Sequence, residues 1–177
     1  MKKVRGLMLM MVLLVGCNSK SIDPSIEEYL IPGDSSIEGI KLWDDILEAE
    51  KILSKRFVCE KGTLSEEFEK IPTLFVKNKK GETLLEFPAN DEKVYIIRII
   101  SPKYKTKEGV HVGSTLADAV KVYGAPEIAY GEGVCAIYEK QGRMTFGLSG
   151  NDVYGNINSS NYMKYADRAI IEVIQLH

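Results

Sequence analysis

Histidine, the residue that most often serves as a metal ligand or a general base, is nearly absent from the sequence. Only His111 and His177 occur, and they lie far apart in the chain. A zinc site needs three or four His, Cys, Asp or Glu ligands together, so neither histidine predicts one. Ser149 lies in a Gly-Leu-Ser-Gly segment that lacks the glycine spacing of a nucleophile elbow. The sequence therefore predicts no metal, no cofactor and no catalytic residue of these classes.

A strong charge of one sign is also missing. The chain has 23 Lys and Arg against 25 Asp and Glu, for a net charge of −2. It has no cluster of Lys and Arg with interleaved aromatic residues, the pattern typical of nucleic-acid binding. Gly131 and Gly133 fall between two strand-like stretches, so they predict a hairpin turn rather than a phosphate-binding loop. We expect no nucleic-acid partner.

Cysteine is scarce, with Cys17, Cys59 and Cys135. If Cys17 carries a modification, Cys59 and Cys135 remain as either one disulfide or two buried free thiols. The sequence gives no distance between them, so both alternatives stay open. The apolar neighbours of Cys135 favour a structural thiol or half-cystine over a nucleophile.

The apolar run at the N-terminus, Leu7 to Val15, is too short to span a bilayer, which takes ~20 residues. It follows three basic residues and ends in small residues before Cys17, as a secretory signal peptide does. The run MKKVRGLMLMMVLLVGC resembles a bacterial lipoprotein signal whose lipobox ends at Cys17. The alternative is a secretory signal without a lipid.

The lipoprotein resemblance implies cleavage before Cys17 and acylation of its thiol and new amino group. Several acyl chains would then hold the protein on a membrane. The resemblance also implies a location in the bacterial cell envelope. Asn18 stands where an inner-membrane retention signal has Asp, which implies the outer membrane, facing the periplasm, in a Gram-negative cell.

Composition and periodicity divide the chain into four parts. Residues 1–16 are the predicted signal peptide, and residues 17–36 are polar, with proline and glycine but no period, so they predict a flexible tether. Residues 37–103 and 104–177 are predicted as two α+β subdomains.

Apolar spacing predicts an amphipathic helix over residues 38–57, with Trp43 on or near the buried stripe. A hairpin is predicted around Gly81, where glycine supplies the positive φ of a tight turn. Residues 94–101 are apolar almost throughout and predict a central strand covered on both faces. The predicted strands are residues 57–60, 73–78, 83–87 and 94–101.

The second half repeats the pattern of the first at an offset of about seventy residues: Gly109 aligns with Gly39, and Leu116 with Ile46. A helical segment, a hairpin and a closing apolar strand recur in the same order. A period this long indicates a duplicated subdomain rather than a solenoid. Chance similarity of two amphipathic segments is the alternative.

A compact motif opens the second half: a glycine-hydrophobic-x-hydrophobic-glycine run, a polar helix cap, a short helix and Gly-x-Pro. Its residues are Gly109, Val112, Gly113, Ser114, Gly124 and Pro126. The motif resembles the domain shared by the small outer-membrane lipoproteins of the barrel-assembly machinery and by the β-lactamase inhibitor protein family. In the first half Trp43 replaces the second glycine. Residues 134–150 and the closing strand are also similar to a family of envelope-stress-regulated lipoproteins of unknown function.

The resemblance implies an α+β fold of two tandem helix-plus-antiparallel-sheet subdomains. It also implies that the two sheets join through residues 94–101 and 169–176. In the inhibitor family such a double sheet presents a concave, aromatic-lined face to a protein partner.

Residues 150–168 form a long polar segment before the last strand, rich in Asn, Gly, Ser and Tyr. This composition is typical of binding loops, so Tyr154, Tyr162 and Tyr165 are candidate partner-binding residues. The alternative is an ordinary loop whose tyrosines fold back onto the sheet.

These features together predict a non-catalytic, membrane-anchored envelope lipoprotein that acts as a protein-binding or scaffold module. One alternative is a carrier or sensor of a small apolar or glycan ligand held between the sheets. A weaker one is a cell-wall hydrolase with paired carboxylates. The candidate pairs are Asp44–Asp45, Glu66–Glu67 and Asp91–Glu92.

Overall fold

The computed structural model describes residues 29–31, 36–65, 69–131, 133–139 and 144–177. These residues form a mostly antiparallel sheet with two α-helices, which confirms the predicted α+β class. The predicted signal peptide, residues 1–16, and the predicted lipidation site, Cys17, lie outside the described residues.

The helices are α1 (Ile46–Leu53) and α2 (Leu116–Tyr123). A short 3-10 helix covers Tyr162–Lys164. In chain order the strands are β1 (Tyr29–Leu30), β2 (Ser36–Ile37), β3 (Ile40–Lys41), β4 (Val58–Ser65), β5 (Lys70–Lys77), β6 (Thr83–Asn90), β7 (Lys93–Val94), β8 (Ile97–Ile99), β9 (Tyr104–Lys105), β10 (Glu127–Tyr130), β11 (Val134–Tyr138), β12 (Met144–Ser149) and β13 (Ile170–Leu176).

One long antiparallel sheet organises the fold. Its strand order is β10-β11-β12-β13-β8-β6-β5-β4, and β7 pairs with the end of β6. At its centre β8 pairs with β13 through Arg98 and Gln175. The two apolar segments predicted at 94–101 and 169–176 are therefore adjacent, as expected. Outside this sheet, β2 pairs with β3, and β1 pairs in parallel with β9.

The apolar core lies on one face of the long sheet. Phe87, Ile97 and Phe146 from its central strands are fully buried there. Both helices contribute to the same core, α1 through Ala49 and α2 through Leu116. Both helices lie on this face. Because side chains alternate between the two faces of a strand, every second side chain points to the opposite face.

Among the described residues, the core covers one face of the central strand β8 and the side chains of its other face are only half-buried, which corrects the prediction for residues 94–101. Ile97 and Ile99 are fully buried in the core, while Arg98 between them is half-buried and points to the opposite face. The apolar run suggested two covered faces because the sequence does not show that Arg98 pairs with Glu86 on the neighbouring strand.

The helix predicted over residues 38–57 is wrong in its first half, because α1 begins only at Ile46. Glu38 and Gly39 have positive φ and turn the chain between β2 and β3, and Trp43 has a φ of +70°. A right-handed helix cannot pass through such residues. Trp43 is therefore 68% exposed rather than on the buried stripe.

The predicted tether, residues 17–36, is partly folded. Tyr29 and Leu30 pair with β9, and Ile31 is 5% exposed and donates its amide to the carbonyl of Lys105. Ser36 pairs with Lys41 in β2. The tether prediction failed here because short parallel pairing leaves no periodic signal in a sequence. Its other residues lie outside the described ones.

Helix α2 begins and ends where the motif predicted. Thr115 is the N-cap: its hydroxyl accepts the Asp118 amide, and the Asp118 carboxylate accepts the Thr115 amide. Two orphan amides are satisfied by this capping box. Gly124 follows the helix with a φ of +84°.

Candidate binding surfaces

The sheet face opposite the core is the first candidate surface, and we call it the open face. Cross-strand registers place one row of side chains across its six central strands. The row is Phe75, Glu86, Arg98, Gln175, Thr145 and Ile137. Each of these residues alternates with buried core residues of its own strand, so all six share the open face.

An ion pair occupies the centre of the open face. Arg98 Nε lies 3.1 Å from Glu86 Oε2, and the two side chains are only 22% and 13% exposed. Neither atom makes a hydrogen bond of good geometry. Burial raises the pKa of Glu86, although the charge of Arg98 opposes this shift. The ion pair is therefore largely removed from solvent, while Arg98 Nε and Glu86 Oε2 lack well-formed hydrogen bonds.

Apolar side chains lie on the same face as this ion pair. Phe75 is next to Glu86 in the row, and Ile96 and Ile100 flank Arg98 at two-residue spacing. Ile137 lies at the other end of the row, three strands from Arg98 and beyond Gln175 and Thr145. All four are half-buried, yet none belongs to the core cluster or packs against it. The open face thus presents Phe75 and Arg98, residue types enriched at protein interfaces, together with half-buried aliphatic side chains.

The tyrosine segment between β12 and β13 folds back on the helix face. Ile157 and Ala166 in this segment are buried, and the carbonyl of Ala166 accepts the Ala117 amide at the start of α2. Tyr162 and Tyr165 are half-buried against the core. For these two tyrosines, the folded-back alternative is the one observed.

Tyr154 differs from the other two predicted tyrosines because it is 66% exposed. Its ring stands edge-on to that of Tyr130, 77° between planes and 6.2 Å between centroids. Tyr130 donates its hydroxyl to the carbonyl of Ile157. The sequence reasoning missed Tyr130, although its place at the end of a strand next to the Gly131 turn marks an exposed edge.

Cys59 and Cys135 are free thiols, so the disulfide alternative is wrong. Cys59 lies on β4 at one edge of the long sheet, and Cys135 lies on β11 near the other. Six strand-to-strand steps of ~4.8 Å separate these strands, far more than the ~7 Å between Cα atoms that a disulfide tolerates. Burial raises the pKa of both thiols, which makes them poor nucleophiles.

The carboxylates are arranged differently from a glycosidase pair. Among the described residues, Glu86 is the carboxylate whose pKa is raised, and its neighbour is Arg98 rather than a second acid. The side chain of Asp45 caps α1, and the amides of Leu47 and Glu48 lower its pKa. The predicted pair Glu66–Glu67 lies outside the described residues. No group of three His, Cys, Asp or Glu side chains gathers within the described part of the chain.

A cleft of about 320 Å³ opens between α1 and the end of the sheet, and we call it the edge cleft. Its apolar lining includes Ile46, Pro72, Leu74 and Ala89, and its charged lining is Lys61, Asp91 and Glu92. A more polar cleft of about 390 Å³ shares Pro72 and Ala89 with it. Both lie at an edge of one continuous sheet, whereas a carrier was expected to hold its ligand between two sheets.

Within the described ranges, no helix has both the length and the apolar character needed to cross a bilayer. No protein-family model matches the sequence. None of the curated proteins matches it either.

Among solved structures, the fold is similar to the crystal structure of the uncharacterized protein yfeY from Escherichia coli. The TM-score is 0.53 at 11% sequence identity, and the similarity covers 72% of this chain and 87% of that chain. At this identity the likeness shows the fold alone, and it supports the α+β class.

Proposed function

We propose that this chain is a membrane-anchored envelope lipoprotein that acts as a non-catalytic protein-binding or scaffold module. The observation that carries the proposal is the open face, where the half-buried side chains of Phe75, Ile96 and Ile100 lie beside the Arg98–Glu86 ion pair. The helices cover only one side of the sheet, so a partner can supply the second layer. Partly buried charges provide specificity for a partner, and the apolar side chains beside them provide contact area.

The open face is large enough for this role. Eight strands spaced ~4.8 Å apart give a sheet about 34 Å wide. A standard protein interface takes ~800 Å² from each partner, which a face of this width can provide. The proposal therefore needs no rearrangement of the fold.

The membrane anchor rests on the signal-like N-terminus and on Cys17. We expect Cys17→Ser to move the protein from the membrane fraction to the soluble fraction, because the acyl chains would be lost. Cys59→Ser is the matched control and should stay with the membrane. Retention of Cys17→Ser on the membrane, or an intact and unmodified N-terminus by mass spectrometry, would contradict the anchor.

We also infer that residues 37–103 and 104–177 are two copies of one helix-plus-antiparallel-sheet subdomain. In each copy one helix precedes four strands that are consecutive neighbours in the long sheet. The segments leading to the helices match in backbone sign: φ is +81° at Gly39 and +90° at Gly109, then +70° at Trp43 and +97° at Gly113.

Backbone hydrogen bonds at the helix starts support the same correspondence. The amide of Trp43 donates to Val94, as that of Gly113 donates to Ile171. The amide of Ile46 donates to Glu92, as that of Leu116 donates to Ala169.

The central pairing of the sheet supports it as well. Ile97 pairs with Leu176 and Ile99 with Ile174, so the register is symmetric about Arg98 and Gln175. Such symmetry is expected where two copies of one unit meet across a two-fold axis.

The binding role can be tested with charge substitutions on the open face. We expect the double variant Ile96→Asp and Ile137→Asp to lose its partners in co-purification from detergent-solubilised envelope, because carboxylates would be buried at the interface. Val122→Asp is the matched control, since Val122 is an exposed aliphatic residue of α2, at 40%. Equal recovery of partners by all three proteins would refute the open face as the interface.

One observation favours the carrier alternative: the edge cleft has an apolar lining and a volume within the range of ligand pockets. Native mass spectrometry of protein extracted from the envelope tests it. A small apolar or glycan molecule that co-purifies with the wild type and not with a cleft-filled Ala89→Leu variant would support a carrier.

A further inference from the structure

We infer that the edge cleft is a docking site for a segment of a partner protein that carries aliphatic side chains next to Lys or Arg. The inference rests on the two-copy organisation proposed above. It concerns a surface on the helix side of the sheet, separate from the open face.

The equivalent site in the second copy is already filled. Residues can be counted along each strand of the two copies, starting from the central Arg98–Gln175 pair. This count gives each residue of the edge cleft an equivalent residue in the second copy. Lys61, Pro72, Leu74 and Ala89 correspond to Ile128, Val134, Ala136 and Leu148, and Ile46 corresponds to Leu116. All five second-copy residues are buried, with 0–9% exposure. In the first copy, Lys61 and Pro72 are exposed and Ile46 is only half-buried.

The cover of the second copy is its own segment 150–169. Val153, Ile157 and Ala166 of this segment are buried. Ser159 accepts the amide of Ile128 through its hydroxyl, which ties the segment to strand β10.

No such segment is found among the described residues of the first copy. The matching connection, between β6 and β7, is only the turn Asp91–Glu92. Leu47 corresponds to Ala117, whose amide is bonded to the covering segment, yet Leu47 is 52% exposed. The fold thus leaves in the first copy a space that a peptide segment occupies in the second.

Trp43 adds an anchor next to this space. Its amide is bonded to β7, the strand that starts one residue after Glu92 of the cleft. A bulky side chain at positive φ is strained, and the second copy avoids the strain with Gly113. An exposed tryptophan retained under strain fits a contact residue, since tryptophan is enriched among the residues that dominate binding energy.

The charges of the cleft select a basic partner. Lys61 is paired with Glu50 at 2.6 Å, and Lys93 with Asp45 at 3.7 Å. Asp91 and Glu92 form no ion pair with other described residues. The uncompensated charge is therefore negative, and a Lys or Arg beside the aliphatic side chains would neutralise it.

The sequence contains a single tryptophan among nine tyrosines, so fluorescence excited at a wavelength that tyrosine does not absorb reports on Trp43 alone. The full chain in non-ionic detergent is titrated with two synthetic peptides that share a Val-Ile centre, one flanked by lysines and one by glutamates. We expect the basic peptide to shift the Trp43 emission and to bind at least fivefold more tightly than the acidic one. Equal responses to both peptides, or no response to the basic peptide, would overturn the inference.

Two variants separate docking from folding. Ala89→Leu places in the cleft the side chain that Leu148 provides in the second copy, so it should weaken peptide binding at least tenfold without lowering the thermal unfolding midpoint. Val122→Ser on α2 is the control and should bind as the wild type does. Unchanged peptide affinity in Ala89→Leu would contradict the assigned site.

Photo-cross-linking in the native envelope then identifies the occupant. A photoreactive residue at Leu47 should cross-link to another protein within a segment that has aliphatic residues beside Lys or Arg, and one at Val122 should not. Cross-links to a second copy of this chain, to a small molecule or to no polypeptide would refute the inference. Because Ile137 lies on the opposite face, failure at Leu47 leaves the open-face proposal separately testable.

Discussion

At the residue scale, the close approach of β12 and β13 depends on the missing side chain of Gly147. A Cβ atom placed there would lie 2.5 Å from Cγ1 of Val173, which covers the glycine from the adjacent strand. Val173 is only 8% exposed, so it has little room to move away. A larger residue at position 147 must displace either Val173 or the strand.

We expect Gly147→Ala to lower the free energy of unfolding by about 1–3 kcal/mol, as overpacking does. Chemical denaturation measures the change. Gly131→Ala is the control, because no atom lies within 4 Å of its added Cβ. In a Val173→Ala background the effect of Gly147→Ala should largely disappear, and an undiminished effect there would show that Val173 is not its cause.

Single residues also show what the sequence can predict. Gly81 and Gly124 have the positive φ that the predicted turn and helix end required of them. Trp43 also has a positive φ, which its residue type does not predict. Its helical spacing predicted a position on the buried stripe instead. The repeat alignment carried the missing signal, because it set Trp43 opposite the motif's second glycine, Gly113.

At the element scale, side-chain caps fix the starts of both helices. Asp45 caps α1, and the Thr115–Asp118 box caps α2. Hydrogen bonds from Thr115 hold the pKa of Asp118 below its usual range. The carboxylate of Asp118 therefore stabilises the folded state while it is ionised.

The pH dependence follows from this direction. A carboxyl group with a lowered pKa contributes stability that is complete above its unfolded pKa of ~4 and is lost as the pH falls through the lower folded value. We expect Asp118→Asn to destabilise the protein at pH 7 and to have little effect at pH 2. Denaturant titration at the two pH values measures this, and an equal destabilisation at both would rule out the charged cap.

Element types were predicted well where one strand or turn suffices to define them. The Gly81 hairpin and the strands around it form as expected, although β4 to β6 extend several residues further. Helix α1 was overextended because Ile40 and Ile46 share a helical period while belonging to different elements. Period alone could not reveal that Ile40 belongs to the β2–β3 hairpin, which ends before the helix begins.

At the scale of the whole molecule, the sheet is continuous across the two halves through β8 and β13. The family resemblance implied this junction, and the two segments were recognised in the sequence by their apolar character. The strand order beyond the junction could not be predicted. The separation of Cys59 and Cys135 depends on that order, so it could not be predicted either. The edge cleft could not be predicted from the sequence either. It exists because the segment 150–169 covers α2 and leaves α1 without a cover among the described residues.

The binding loop predicted from composition, residues 150–168, was only partly right, because the sequence does not show which elements pack together. Tyr162 and Tyr165 lie in a segment that the fold uses to cover α2, and Tyr154 alone of the three predicted tyrosines is exposed. The open face was visible in the sequence only as an arginine within an apolar strand. Its importance depends on the cross-strand row that places Glu86 beside Arg98 and Phe75 beside Glu86.

The most direct test is site-specific photo-cross-linking from the open face in the native envelope. A photoreactive residue at Ile137, on the open face three strands from Arg98, should give a discrete adduct with one protein partner. The same residue at Val122, on the opposite side of the sheet, should not give that adduct. No adduct from Ile137, or identical adducts from both positions, would contradict a protein-binding open face.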